Sequence, residues 1–319
     1  MIGDGRNSIR RLGCQKGRVI MKVGVVTVLY NSTDVLEGFF KSLSEQANVT
    51  IKLYVIDNSP TDEGLQLSRR LGMQHGIDTT LIYNNGNFGV AKGNNQGIEL
   101  ALADGVDYVV LSNNDVEFNT PDMIRGMIED MSLAGARASV PKMLYYGTRK
   151  IWCAGGSISK LRAGSPHRGD LEEDVGQYDV SEFTEYAPTC FMILEREVFQ
   201  DVGLMDEDYF VYYDDTDFVW RMNRCNAPIL YVPRFELFHK VSFSTGGNES
   251  LFSLYYVTRN RIFFARKNLP VPYKWIAVSY TIGAMVVKSL SFDATQRSRV
   301  FKALVDGLST KFNDAIKAR

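Results

Sequence analysis

Short, mostly apolar runs alternate with segments of helical spacing along the first part of the chain. Four runs rich in β-branched residues are typical of strands buried on both faces: "VGVVTVLY" (23–30), "KLYVID" (52–57), "TLIY" (80–83) and "DYVVLS" (107–112). The spacing between them predicts helices after Asp34, over 65–73 and over about 95–103, and Asp34 and Glu37 are expected to form a capping pair at the start of the first. Strands that alternate with helices predict right-handed crossovers, so we expect an α/β fold with a mostly parallel central sheet.

The pattern becomes less regular after Pro121 and changes again near residue 245. "EYAPTCFMIL" and "APILYVP" are strand-like, and a helix is predicted from the acidic run 214–217 onward. Three parts are therefore expected: a disordered leader over 1–20, an α/β domain over 21–245, and a helical extension over 246–319.

The segment 275–290 within that extension is strongly apolar. Its apolar run before Lys288 is about 13 residues, shorter than the ~20 that a spanning helix needs. Pro270, Pro272 and Lys274 flank it on the other side, as in helices that lie at a membrane surface. Two interpretations stay open, a peripheral membrane helix and a helix buried in the core or in a homodimer.

Composition narrows the class of protein. The chain is 45% hydrophobic and 23% charged, with a formal net charge of −1, so no global basic field indicates a nucleic-acid partner. Its four cysteines form no CxxC pair, which argues against a zinc cluster and a disulfide framework. These features favour a reducing, cytoplasmic location.

Polar side chains end two of the predicted strands. Asp57 follows "KLYVI" and Asp115 follows "YVVLS" by three positions. Ligands of open parallel sheets bind at the carboxyl ends of strands, although an isolated Asp there is more often a turn residue. Between them, the loop 87–97 has glycines at every fourth position from Gly89, which would let backbone approach a ligand before a helix N-terminus.

Acidic residues also crowd the start of the helix predicted after 213. Asp214 and Asp215 lie in its first turn, where carboxylates complement the helix dipole. Crowded carboxylates raise one another's pKa, which suits a general base. Asp217 and Arg221 are four residues apart and predict an ion pair. His239, one of three histidines, follows a strand and could approach the same pocket.

Taken together, these stretches resemble the family 2 glycosyltransferases with the GT-A fold, in particular the bacterial rhamnosyl- and galactofuranosyltransferase-like branch. The similarity runs from about Lys22 to Lys267, and its pieces follow in the family's order: "VTVLYN", "VIDNS", "NFGVAKGNNQG", "LSNNDV", "DDTDFVWR", a later His and "YYVTRNR".

The resemblance implies a nucleotide-sugar donor, UDP- or dTDP-linked. Asp57 matches the residue that binds the base, and the other donor contacts implied are Val28, Tyr30, Asn87, Gly89, Gly93, Asn95, Asn113, Asn114, Arg259 and Arg261. Asp115 and His239 would hold Mn²⁺ or Mg²⁺. Asp215 would be the catalytic base, with Asp214 beside it in place of the usual Glu.

The reaction implied is a single displacement with inversion, onto a hydroxyl of a glycan or lipid-linked oligosaccharide in cell-surface polysaccharide synthesis. Asn113 stands where the family's metal motif has its first Asp, which predicts weak metal binding until the diphosphate arrives. The QxxRW motif of processive synthases and the basic glycine-rich signature of sugar nucleotidyltransferases are absent from the sequence. A catalytically inactive nucleotide-sugar or glycan-binding protein of the same fold stays open as the alternative.

Overall fold

The computed structural model describes residues 21–240 and 250–311, which form one ten-stranded sheet with helices around it. The strands are β1 (Lys22–Leu29), β2 (Thr50–Asp57), β3 (Asp78–Tyr83), β4 (Tyr108–Ser112), β5 (Val116–Phe118), β6 (Ala138–Tyr145), β7 (Ile151–Cys153), β8 (Glu182–Thr184), β9 (Phe191–Glu195) and β10 (Ile229–His239). The α-helices are α1 (Leu36–Ser44), α2 (Glu63–His75), α3 (Val90–Ala103), α4 (Met123–Ala134), α5 (Val198–Asp201), α6 (Asp214–Arg224), α7 (Leu251–Asn268), α8 (Tyr273–Lys288) and α9 (Ala294–Ser309).

The sheet has the order β3-β2-β1-β4-β9-β6-β10-β5, with β7 paired to β6 and β8 to β10. Strands β1 to β4 are parallel, as predicted, because helices return the chain between them. Strand β9 then lies antiparallel between β4 and β6, so the complete sheet is mixed. The predicted α/β sheet flanked by helices is confirmed, and its parallel pairs are those among β1 to β4 and the pair of β6 with β10.

Two local predictions were wrong. The first helix begins at Leu36 after a short 3-10 turn over Thr33–Val35, and no side chain caps it, so the capping pair of Asp34 and Glu37 does not form. Helix α3 begins at Val90 and not near residue 95, so most of the predicted glycine loop is helical.

The helical glycines of α3 serve packing against the sheet. A Cβ at Gly93 would lie 2.8 Å from Val28, and one at Gly97 would lie 2.3 Å from Val26. Both valines belong to β1. The glycines therefore let a helix approach the first strand closely, and the predicted contact of Gly93 with the donor stays a prediction.

Helices α7, α8 and α9 form the predicted C-terminal extension, and α7 packs along α9 and α8. The predicted leader 1–20 and the predicted domain boundary at 245 lie outside the described residues. Within those residues, no helix is both long enough and apolar enough to cross a bilayer.

Candidate active site

Asp57 ends β2 and is completely buried. Its Oδ1 accepts a hydrogen bond of 2.9 Å from the Ser59 backbone, whereas its Oδ2 has no partner. A buried carboxylate oxygen without a donor costs free energy unless a ligand supplies one. The position thus fits the predicted contact with a nucleotide base, whose ring N–H would be the missing donor.

The two residues that follow Asp57, Asn58 and Ser59, organise this edge of the sheet. The sequence did not indicate their role. Asn58 donates to the Gly89 carbonyl at 2.9 Å and accepts from Asn84 at 2.7 Å, and Ser59 accepts from the Asn31 backbone at 3.0 Å. These bonds tie the ends of β1 and β2 to the loop before α3. "VIDNS" indicated only Asp57, because Asn and Ser are expected in any turn.

The loop residues predicted to contact the donor differ in their exposure and in their hydrogen bonds. Asn87 is exposed at the edge, and its side chain accepts from the Gly89 backbone at 3.0 Å. Gly89 has φ +86°, and a Cβ there would lie 2.4 Å from the Phe210 carbonyl oxygen, so glycine is required. Asn95 faces away from solvent and bonds to Met205 in both directions, at 2.9 and 3.0 Å.

Val28 and Tyr30 lie at the exit of β1, as predicted from the motif. Val28 is half-buried beneath Gly93, and Tyr30 is exposed just after the strand. They leave the carboxyl edge of β1 open next to Asp57, which pairs with Leu29 across the sheet. A planar base bound to Asp57 would contact this apolar edge.

The segment after β4 brings Asp115 and His239 together. His239 Nε2 lies 3.1 Å from Asp115 Oδ1, and both side chains are buried. Asp115 Oδ1 nevertheless makes no hydrogen bond of good geometry, and His239 Nδ1 has no partner. Asn113 is exposed beside them, and Asn114 donates to the Ser32 hydroxyl.

These atoms fit a divalent cation. Two adjacent ligands at about 2.1 Å from an octahedral ion lie about 3 Å apart, and carboxylate and imidazole suit Mn²⁺. The described residues contain no cluster of three or more His, Cys, Asp or Glu side chains that could hold a metal. Among the described residues, Asp115 and His239 would be the two protein ligands, and the remaining ones would come from the diphosphate and water.

The irregular stretch between β7 and β9 is fastened to the sheet by a buried lysine. Lys142 of β6 is 2% exposed and forms ion pairs with Asp179 and, at 2.9 Å, with Asp174. Breaking such a buried pair would leave an uncompensated charge, so the segment is held firmly. Together, β7 and this stretch bring three aromatic side chains into the site that the sequence did not indicate.

Those side chains are Trp152, His167 and Tyr186. The Trp152 ring packs edge-on against His239 and His167, with centroids 4.3 and 4.6 Å apart. His167 stacks on Tyr186 at 6.0 Å, and burial lowers the pKa of His167, so its ring is neutral at neutral pH. A continuous row of rings thus joins the Asp115–His239 pair to Tyr186, which lies next to the start of α6.

Tyr186 is the last residue in this row of rings, and it forms a hydrogen bond with Asp215. Its hydroxyl donates to Asp215 Oδ2 at 2.6 Å, and the Thr216 backbone donates to Oδ1 at 2.6 Å. Burial and the Asp215 charge raise the pKa of Tyr186 well above its ordinary value, so the hydroxyl stays a donor. The half-buried Asp215 carboxylate is therefore held in one orientation, ready to accept a proton.

Asp214 differs from its neighbour in environment. It is 5% exposed, and burial, followed by the charge of Asp215, raises the pKa of Asp214 to about 8. Adjacent carboxylates with different environments take different protonation states. Near neutral pH, Asp214 is neutral.

The proton on Asp214 makes the free energy of unfolding depend on pH, which can be measured. Between pH about 4 and about 8, the folded chain keeps a proton on Asp214 that the unfolded chain releases, so the free energy of unfolding falls as pH rises. Asn at 214 resembles the protonated acid and does not titrate. We expect the stability of the wild type relative to Asp214→Asn to fall by up to about 1.4 kcal/mol per pH unit in this range. Urea unfolding at several pH values measures it.

The exposed Asp34 provides the control, since Asp34→Asn should leave the pH dependence of stability as it is in the wild type. Parallel pH profiles for the wild type and Asp214→Asn would contradict the raised pKa.

The predicted ion pair of Asp217 and Arg221 is confirmed at 2.9 Å. Lys267 of α7 also contacts Asp217 at 2.7 Å, and Asp206 at 2.6 Å. Burial acts to raise the pKa of Asp217, but Arg221 and Lys267 outweigh it and hold that pKa below its ordinary value. Asp217 thus joins α6 to α7 and is a structural anion close to Asp214 and Asp215 in the same helix.

Backbone strain marks the segment that leads into α6. Phe210, Tyr212 and Tyr213 have φ of +65°, +60° and +67°, a region that costs L-residues about 1–3 kcal/mol each. Asn260 of α7 is fully buried, and its amide shares two protons among three carbonyls of this segment, at 2.8 to 2.9 Å. Asn260 therefore stabilises the strained approach to Asp214.

Both arginines beside Asn260 bind protein groups. Arg259 Nη1 donates to the Asp208 carbonyl at 2.5 Å and to Asn260 Oδ1 at 2.7 Å. Arg261 Nε donates to the Tyr213 hydroxyl at 2.8 Å. In the structure they stabilise the segment before α6, and their predicted contact with the diphosphate or an anionic acceptor stays a prediction.

The model of one protein family, described as "Glycosyl transferase family 2", matches residues 24–203, more than half of the chain. The chain belongs to glycosyl transferase family 2. Two curated proteins are similar to it. The low-salt glycan biosynthesis hexosyltransferase Agl10 of Haloferax volcanii is 24% identical over 84% of this chain and 84% of its own length. The N-acetylglucosaminyl-diphospho-decaprenol L-rhamnosyltransferase of Mycobacterium tuberculosis is 24% identical over 70% of this chain and 77% of its own length.

Solved structures of glycosyltransferases confirm the fold. S. aureus TarS superposes with a TM-score of 0.59 at 16% identity, over 90% of this chain and 49% of that chain, so this chain spans about half its length. The mannosyltransferase PcManGT from Pyrobaculum calidifontis, solved with GDP-Man and Mn²⁺, has a TM-score of 0.57 at 13% identity, over 92% of this chain and 88% of that chain. The predicted GT-A fold and the predicted family are thus confirmed for this family 2 member.

Proposed function

We propose that this family 2 glycosyltransferase is an inverting enzyme with Asp215 as its catalytic base. It transfers a rhamnose-like or galactofuranose-like sugar from a UDP- or dTDP-sugar to a hydroxyl of a glycan or lipid-linked acceptor in cell-surface polysaccharide synthesis. One observation carries the proposal. The row of rings from His239 through Trp152 to Tyr186 joins the cation ligands to a carboxylate that is already oriented.

Each group has one task in the proposed reaction. Asp57 Oδ2 binds the base of the donor, and the apolar exit of β1 packs against it. The acceptor oxygen attacks the anomeric carbon as its proton moves to Asp215, and the bond from that carbon to the diphosphate oxygen breaks with inversion. Tyr186 and Thr216 keep the carboxylate aimed during the attack.

Asp115 and His239 are the residues that would hold Mn²⁺ or Mg²⁺. A bound cation would offset the negative charge that develops on the leaving nucleoside diphosphate. Asn113 adds no charge to this pair, so we propose that the cation binds weakly to the empty protein and tightly together with the diphosphate.

Thermal stability distinguishes the donors and the cation requirement. We expect a UDP- or dTDP-sugar with Mn²⁺ to raise the melting temperature, since a ligand at about 100 times its Kd adds about 2.7 kcal/mol. The same nucleotide-sugar with EDTA should give a much smaller rise, and Mn²⁺ alone almost none.

A GDP-sugar serves as the control nucleotide. A large rise with Mn²⁺ alone would contradict the two-ligand cation site. Stabilisation by a donor, without turnover on any acceptor or on water, would instead support a nucleotide-sugar-binding protein that lacks catalysis.

A further inference from the structure

Helix α8 presents an apolar face that nothing in the described residues covers. Along its 16 residues only Ala277, Val278 and Thr281 are buried. Large apolar side chains stand 39 to 79% exposed on the other side and just beyond its end: Tyr273, Trp275, Ile276, Tyr280, Val286, Val287 and Leu290. The exposed aromatic residues lie in the N-terminal half of α8, and Val286, Val287 and Leu290 lie at or just beyond its C-terminal end. Contiguous exposed apolar surface of this kind marks an interaction site.

The charge around this face has one sign. No Asp or Glu occurs between Leu269 and Phe292, whereas Lys274 and Lys288 stand at the two ends of α8. From Leu251 to Lys311 there are ten Lys or Arg and two Asp, a formal charge of +8 in a chain whose net charge is −1. Four of these cations, Arg259, Arg261, Arg266 and Lys267 of α7, bond to protein groups. The charged residues at the exposed face itself are Lys274 and Lys288 of α8 and Arg162 beside Tyr280, all of them basic.

A loop from the catalytic domain extends the face. Its exposed tip is Lys160-Leu161-Arg162, and the Arg162 guanidinium lies 5.6 Å from the centre of the Tyr280 ring. Leu161 is 54% exposed between the two basic residues. An apolar side chain between two cations suits the interface between lipid headgroups and acyl chains.

The same loop reaches the catalytic helix. The carbonyl of Ala163 accepts from the Tyr213 hydroxyl at 2.8 Å, and the Ser165 hydroxyl lies 2.9 Å from that of Thr216. Thr216 in turn donates to Asp215. The exposed face and the proposed catalytic base are thus joined through one loop of a few residues.

We propose that α8 and the 160–162 tip together form a docking surface for an anionic lipid bilayer. Tyr and Trp rings would lie at headgroup depth, the lysines would contact lipid phosphates, and the loop would face the membrane with Asp215 behind it. A second copy of the chain fits less well, because a twofold contact through this face would press two basic regions together. The role in presenting a lipid-linked acceptor rests on the proposed function, whereas the docking itself does not.

Vesicle binding tests the surface directly. We expect the full chain to co-sediment with vesicles of equal parts phosphatidylglycerol and phosphatidylcholine, to bind about tenfold less to phosphatidylcholine alone, and to be released by high salt. Leu161→Ser combined with Trp275→Ser should weaken binding to the anionic vesicles about tenfold. The matched control is Leu133→Ser, an equally apolar change at an 87% exposed leucine of α4, and it should bind as the wild type does.

Charge reversal tests the electrostatic part. Arg162→Glu should weaken anionic-vesicle binding about tenfold, and Arg70→Glu, at an exposed arginine of α2, should not. Failure of the wild type to bind anionic vesicles would overturn the proposal. So would a stable dimer in solution that Trp275→Ser dissociates, or equal binding by the wild type and Leu161→Ser/Trp275→Ser.

An activity assay separates this proposal from the proposed reaction. The Leu161→Ser/Trp275→Ser variant should hydrolyse the donor sugar as fast as the wild type and lose activity only on an acceptor embedded in vesicles. If no nucleotide-sugar is turned over by either protein, the proposed function fails while the vesicle-binding result still decides the docking surface.

Discussion

Asp215→Asn is expected to lower the rate of glycosyl transfer by about 10²- to 10⁴-fold, the contribution of a positioned general base. The amide has almost the same shape, and its oxygen can accept from the Thr216 backbone while its NH2 group donates to the Tyr186 hydroxyl oxygen, but it cannot accept the acceptor proton. We expect the affinity for the nucleotide, measured by calorimetry, to stay unchanged, because Asp57 and not Asp215 supplies the proposed base contact. The loss should therefore appear in kcat.

Asp122 offers a matched control for this change. It precedes α4 as an exposed carboxylate without a side-chain capping bond, so Asp122→Asn should be as active as the wild type. An Asp215→Asn variant that keeps most of its activity would exclude Asp215 as the base, and the neighbouring Asp214 would then be the group to test.

Asn260→Ala is expected to reduce turnover about tenfold or more and to lower the free energy of unfolding by about 1–3 kcal/mol. The change removes the only side-chain amide that the structure shows donating to the carbonyls of Tyr209, Val211 and Tyr212. The strained residues can then relax and shift Asp214 and Asp215. Kinetics at a temperature well below unfolding separate the two effects, since a purely structural role would leave kcat of the folded fraction unchanged.

Asn223→Ala controls for the loss of an amide from a helix. Asn223 donates one exposed hydrogen bond of 2.8 Å to the Glu185 carbonyl, also next to the site, and its loss should cost little stability and no activity. If Asn260→Ala unfolds at lower urea but keeps the wild-type kcat, the segment before α6 does not need the clamp for catalysis.

Much of the site could be predicted because its residues follow strands in short, ordered motifs. Asp57 ends β2, Asp115 follows the end of β4 by three positions, and Asp215 lies in the first turn of α6. The parallel order of β1, β2 and β4 brings the ends of these strands to one edge. His239 was found because histidine is rare in this chain. The same signal could have indicated His167, which lies in a stretch without regular spacing.

Other features could not be found in the pattern. The glycines at 93 and 97 predicted a ligand loop, but only the structure shows that they let α3 approach β1. Arg259 and Arg261 were singled out for their charge, whereas the neutral Asn260 between them makes the contacts on which the segment before α6 depends. Charge is visible in a sequence, but the number of carbonyls around an amide is not.

The sequence alone determined the α/β alternation, the order of the motifs and the helical nature of α8, because these depend on periodicity and on residue types close together in the chain. The tertiary structure decided that the later strands make the sheet mixed, that Tyr186 orients Asp215, and that Asp214 is neutral near neutral pH. It also decided that α8 leaves one apolar face exposed beside Arg162. Each of these depends on contacts between residues far apart in the chain, and periodicity carries no information about them.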